Sequence, residues 1–167
     1  MKQFILGFLG TLVLLVAGVF GYLRLGAAEV RADVSAPAWQ HRLMKFAERA
    51  SVRRRAPRER SSLPPTDGDL IAGGKLYFDG CEGCHGRPGG PRRKRVLFSP
   101  PPELAYVGTQ YSEPERFWII THGLRRSGMS AWGTTYTDKQ LWTLAAFVGR
   151  MQDLPPSVLD AIQPKQR

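Results

Sequence analysis

Five consecutive residues, Cys81-Glu82-Gly83-Cys84-His85, constrain this chain more than any other feature. Two thiols and an imidazole at C-x-x-C-H spacing are what covalent attachment of haem c requires. The thiols of Cys81 and Cys84 can form thioethers to the two vinyl groups of the porphyrin. His85 can then stand under the iron as its proximal ligand. The chain has 2 cysteines, both in this motif, so none remains for a structural disulfide or a Cys₄ metal site. Half of a zinc site is one rival reading. It needs two further ligands, and His41 and His122 lie far apart with no paired spacing. A thioredoxin-like redox pair is another. Such a motif follows a strand and opens a helix, whereas a Gly- and Pro-rich loop follows this one.

The 167 residues leave room for one domain plus appendages. Lys and Arg number 24 against 14 acids, a formal charge of +10. That balance favours an anionic partner: nucleic acid, lipid headgroups or an acidic protein face. A short cationic start, Met1-Lys2-Gln3, precedes an apolar run from Phe4 to Leu23 with no charge before Arg24. The run has about the 20 residues needed to cross a bilayer core and exceeds a usual signal h-region. A retained anchor over 1–24 is the expectation, with a cleaved signal ending near Gly26-Ala27-Ala28 as its rival. Either sends the remainder out of the cytoplasm, where haem c is attached in bacteria, and export argues against a nucleic-acid partner. Arg24, Arg31 and Arg42 outnumber Lys2, against the positive-inside pattern. The haem motif sets the expected orientation nonetheless.

Residues 25–66 read as a basic juxtamembrane helix and linker. Trp39, Leu43, Phe46 and Ala50 recur at helical spacing, with Arg42, Lys45, Arg49 and Arg53 around the other faces. The helix ends before Pro57. Two readings stand: a solvated spacer, or a helix lying on the membrane or on a partner subunit. A domain is expected over 67–153. Thr66 or Asp67 caps a helix through Leu70, Ile71, Lys75 and Tyr77 to the haem motif. Gly73 and Gly74 weaken that helix, which implies that another helix passes very close. Residues 86–108 are loop. Ser112 with Glu115, and Thr137 with Gln140, are capping boxes opening two more helices. The second carries Leu141, Trp142, Leu144, Ala145, Phe147, Val148 and Met151, and Pro155-Pro156 stops it. Residues 154–167 form a tail without clear pattern.

His122, Met129 and Met151 are the downstream candidates for the sixth iron position. Met151 falls on an apolar helical face, where core packing is its simplest role. His122 adjoins a helix-ending glycine and suits a capping or propionate-facing position. Met129 lies in the irregular segment Gly128-Met129-Ser130-Ala131-Trp132-Gly133, from which a sulfur can bend back over a haem. Otherwise it is an exposed loop Met or fills a gap against an aromatic.

The order helix, C-x-x-C-H, Pro-containing loop, helix, H-G-x-x-x-x-G-M-x-x-x-G, helix resembles a bacterial class I cytochrome c. Residues Leu70 to Met151, about half the chain, carry the resemblance. It implies a small all-α domain, here preceded by a single transmembrane helix and the basic juxtamembrane helix. It further implies one haem c held by Cys81 and Cys84, His85 as proximal and Met129 as distal iron ligand. Gly73 and Tyr77 match the glycine and aromatic of the family's first helix, which pack on the last. The family's proximal His donates a hydrogen bond to a loop Pro carbonyl, a role open here to Pro100, Pro101 or Pro102.

With both axial positions filled, function reduces to cycling one electron at an exposed haem edge, with no catalytic residues. Arg125 and Arg126, just before Met129, can pair with propionates or attract an acidic partner. Arg92, Arg93, Lys94 and Arg95 form a second basic cluster, read first as a solvated loop. The expected protein is a membrane-anchored, periplasm-facing monohaem cytochrome. It works with redox partners as a tethered carrier, or as a subunit of a membrane electron-transport complex. The alternative is a haem sensor or small-ligand binder with a displaceable distal ligand.

Overall fold

The computed structural model describes residues 1–31, 34–59, 64–92 and 100–163. The chain divides into two compact units, Met1–Val34 and Ser35–Arg167. The first holds one helix, α1 (Lys2–Arg24), with no buried residue and no charge between Phe4 and Leu23. At 1.5 Å rise per residue it is about 35 Å long, enough for a bilayer core. Thr11 donates its hydroxyl to the Gly7 carbonyl (3.0 Å), so this polar group is satisfied within the helix.

The second unit holds α2 (Ala38–Arg55), α3 (Asp67–Gly80), α4 (Glu82–His85), α5 (Leu104–Val107), α6 (Glu113–His122), α7 (Asp138–Arg150) and α8 (Pro156–Ile162). Among the described residues there is no strand, only an isolated antiparallel bridge between Leu124 and Met129. Local signals start the three principal helices. Thr66 caps α3 in a box with Asp69, Ser112 caps α6 with Glu115, and Thr137 caps α7 with Gln140. Each box satisfies two N–H groups that a helix start otherwise leaves unpaired.

Helices α3 and α7 cross at Gly73. A Cβ there would stand 2.7 Å from both Phe147 Cβ and the Thr143 carbonyl oxygen, so only glycine permits the approach. The close passage read from the glycine pair is therefore present. Tyr77, Leu141, Leu144, Ala145, Phe147 and Val158 are fully buried around it. Each large apolar side chain removed from water contributes about 1.5–3 kcal/mol. Helix α6 packs on α7 through Phe117, whose ring stacks on Trp142 at 4.2 Å. Arg116 links the same helices, donating from Nε to Ala145 O (2.8 Å) and from Nη1 to Tyr111 O (2.6 Å). Its burial lowers the guanidinium pKa, while Glu113 and Glu115 oppose the shift.

Two segments differ from the pattern visible in sequence. The stretch after Leu154 forms α8, packed on α3 with Val158 and Ile162 buried. Helix α7 already ends at Arg150, before the Pro155-Pro156 pair expected to stop it; the pair instead begins α8, because proline's fixed φ suits a first helical turn. Two buried positions four residues apart are too few to register as a period. Helix α2 is not a free spacer. Val52 is buried, Tyr111 donates to Glu48 Oε1 (2.6 Å), and Arg49 donates to Gln110 Oε1 (2.7 Å). The apolar face read from Trp39, Leu43 and Phe46 stays exposed.

Candidate haem site

Helix α3 delivers Cys81 at its C-cap, and Glu82–His85 continue as the single turn α4. The amides of Cys84 and His85 both donate to Cys81 O, at 3.1 and 2.9 Å. This turn sets the two thiols one helical turn apart. Neither cysteine is in a disulfide; Cys81 is half-buried and Cys84 exposed. Burial pushes the Cys81 thiol up to about 11, and neighbouring Cys84 adds to the rise. Gly86 ends the turn at φ 79, and its carbonyl accepts the Tyr77 hydroxyl at 2.7 Å. The residue after His85 is thus fastened to the core. Arg87 folds back on Glu82 with two 3.0 Å hydrogen bonds, its guanidinium over the Phe78 ring.

The imidazole is oriented from the other side of the loop. His85 Nδ1 lies 2.9 Å from Pro102 O. A carbonyl only accepts, so Nδ1 carries the proton and Nε2 keeps the lone pair that a metal needs. Three consecutive prolines left this partner open in sequence; the geometry selects Pro102. The loop is tied down further by the Tyr106 hydroxyl, which donates to Gly90 O, and by Arg92, whose guanidinium lies over the Tyr106 ring. Arg93, Lys94 and Arg95 lie outside the described residues.

Met129 comes from the connection between α6 and α7. Gly123 ends α6 at φ 66, and a Cβ there would stand 2.5 Å from Met129 O. The returning backbone therefore needs a glycine at this point. Leu124 N donates to Met129 O (3.2 Å), and Met129 N to Ser127 Oγ (3.2 Å). Met129 is half-buried and packs against the same apolar cluster as Cys81. Trp132, three residues on, covers Gly80, the residue before Cys81, and stacks on Tyr136 at 5.4 Å. The Tyr136 hydroxyl pKa is raised, first by burial and then by Cys81 and Asp79 nearby. The Met129 segment and the C-x-x-C-H segment are thus brought together through Trp132 and Tyr136. Trp132 and Tyr136 stand outside any helix, so no periodic pattern in the sequence marks their part in the site.

The other candidate ligands sit elsewhere. Met151 is buried in the core. His122 is exposed beside the Trp118 ring, 4.9 Å between centroids. Arg125 and Arg126 are exposed, and Arg126 holds a positive φ of 65. No group of three or more His, Cys, Asp or Glu that could hold a bare ion occurs among the described residues. Two cysteines one helical turn apart, an imidazole donating from Nδ1 to a carbonyl and a half-buried thioether together suit a haem.

Residues 68–148 match the family model described as cytochrome c oxidase, cbb3-type, subunit III. This stretch is a class I c-type cytochrome domain, an all-helical carrier of covalently bound haem c that transfers electrons through the haem iron. No curated protein and no solved structure matches the chain.

Proposed function

We propose that the chain is a membrane-anchored monohaem cytochrome passing single electrons on the periplasmic side of the membrane. Cys81 and Cys84 hold the haem, His85 is the proximal ligand and Met129 the distal one. The observation that carries this reading is the His85–Pro102 contact, which presents a lone pair at Nε2 from a fixed ring. The bound haem supplies a one-electron Fe(III)/Fe(II) couple. The protein's part is to hold it. Tyr77 and Pro102 fix the two ends of the proximal turn, and Gly123 lets the Met129 segment fold back. Trp132 and Tyr136 wall the space beside Cys81. A haem iron held by both His85 and Met129 would keep no open position for a substrate, and the chain would then act as a carrier rather than an enzyme.

Helix α1, uncharged from Phe4 to Leu23 and with no buried residue, acts as the single-pass anchor. The haem domain then lies outside the cytoplasm. The family's description names an oxidase subunit, which supports a partner in a membrane respiratory complex. The test is isolation of the native protein from membranes in mild detergent. Haem staining should survive denaturing electrophoresis at the chain's mass, and carbonate washing should leave the protein in the pellet. Co-purifying oxidase polypeptides mark a complex subunit; isolation alone marks a tethered carrier. Stain lost on denaturation, with both cysteines unmodified by mass spectrometry, overturns the reading.

A further inference from the structure

Helix α2 has two unlike sides, and only one is used within the domain. Glu48 and Val52 face the domain, Glu48 bonded to Tyr111 and Val52 1% exposed. Trp39 lies about 140–180° round the helix from them. Leu43, Phe46 and Ala50 share its side. On this outward stripe Trp39 is 65%, Leu43 52% and Phe46 72% exposed. Three large apolar side chains in a row do not belong on a solvated face. Basic residues border the stripe. Arg42, Arg53 and Arg54 flank it, and α2 as a whole carries six Lys or Arg against the single acid Glu48. Arg53 keeps a side-chain exposure of 76% even with Glu115 3.7 Å away.

We infer that the outward face of α2 lies on an anionic lipid surface. An apolar stripe bordered by cations is the pattern of a helix in the interface plane, its aromatic and aliphatic groups sunk among headgroups and its charges paired with phosphates. A bilayer is always within reach. Thirteen residues separate α1 from α2, so the extended chain spans at most about 45–50 Å. That tether holds α2 at high effective concentration beside the membrane that α1 crosses. The contact would fix the domain against the bilayer through the Glu48–Tyr111 and Arg49–Gln110 bonds, instead of leaving it to swing. This inference rests on α1 being a membrane span, and the experiment separates the two.

The full-length haem protein is placed in detergent micelles, in phosphatidylcholine vesicles and in vesicles containing phosphatidylglycerol. Amide hydrogen exchange is followed by mass spectrometry. Peptides from 38–47 should exchange about tenfold slower in the anionic vesicles than in the neutral ones. The difference should shrink in about 0.5 M salt. The Leu43→Glu, Phe46→Glu variant should abolish it while the haem absorption spectrum stays unchanged, since both side chains point away from the domain. Peptides from α1 report the anchor separately and should be protected in both vesicle types. Protected α1 with α2 exchanging alike in all three settings overturns the surface contact. Protection of α2 that rises with protein concentration, or needs a co-purified protein, assigns the face to a second copy or a protein partner and also overturns it. Unprotected α1 with α2 still protected in anionic vesicles keeps the contact and removes the anchor.

Discussion

The Nδ1 of His85 sits 2.9 Å from the carbonyl oxygen of Pro102, seventeen residues along the chain. This bond joins the C-x-x-C-H turn to the Pro100–Pro102 segment. The acceptor is backbone, so no side-chain substitution at position 102 removes it directly. The imidazole's tautomer is therefore set by the course of the main chain, which the rigid prolines stabilise. The Met129 segment is built differently: Gly128 precedes it, and its backbone is held by Leu124 and Ser127.

Met129→Ala should open the sixth position. The variant gains carbon monoxide binding, and its midpoint potential falls, because thioether ligation favours Fe(II). His122→Ala should do neither, since His122 packs outward on Trp118. Optical redox titration with and without carbon monoxide checks both. The reverse outcome would transfer the distal role to His122.

Gly73→Ala should destabilise the domain by about 1–3 kcal/mol, because the added methyl meets Phe147 and the Thr143 carbonyl in a packed crossing. Gly68→Ala in the first turn of the same helix is the control. There a Cβ meets only Thr66 Oγ1 at 3.7 Å, an ordinary contact. That substitution should be neutral or stabilise by up to about 1 kcal/mol. Denaturant unfolding of the two variants checks the contrast.

Stability should fall in alkali through Tyr111. Burial first, then its bond to Glu48 and that residue's charge, push the hydroxyl from 10.0 up to about 12, while Arg49 pulls the other way. The folded state holds this proton after the unfolded chain has lost it. The contribution is therefore full below about pH 10 and disappears as pH rises towards about 12. Tyr111→Phe should flatten that slope and cost about 1 kcal/mol at neutral pH by removing one hydrogen bond. Unfolding midpoints measured from about pH 8 to about pH 11 provide the comparison.

Replacing Arg125 and Arg126 with Gln should slow electron transfer to an acidic partner about tenfold at low ionic strength. The rate's salt dependence should flatten, because a charged docking face acts mainly on encounter. Gln leaves the positive φ of residue 126 no more costly than Arg does. The midpoint potential should stay in place. Stopped-flow rates across salt, with a redox titration alongside, distinguish the outcomes. An unchanged slope would move docking to another face, and a shifted potential would make the pair propionate partners.

The sequence by itself determined whatever is encoded within a few residues. C-x-x-C-H names a covalent haem because its three donors need only one helical turn. The capping boxes at Ser112 and Thr137 fix helix starts because the partners lie only three residues apart, while the choice of Thr66 over Asp67 as the first cap came from the structure. The apolar run 4–23 is long enough and free enough of charge to cross a bilayer, a property of its composition alone. Gly73 announced a close crossing, and the family resemblance named the last helix as its partner. Only the tertiary structure decided what depends on distant segments meeting. Pro102 was chosen among three equivalent prolines, and Trp132 came to rest on Gly80. Helix α8 formed because Val158 and Ile162 found α3, although seven residues carry no period of their own. Helix α2 joined the domain through Glu48 and Tyr111, 63 residues apart. Such bonds are fixed by the path of the backbone between them, and that path is set by the packing of the whole core rather than by any local pattern.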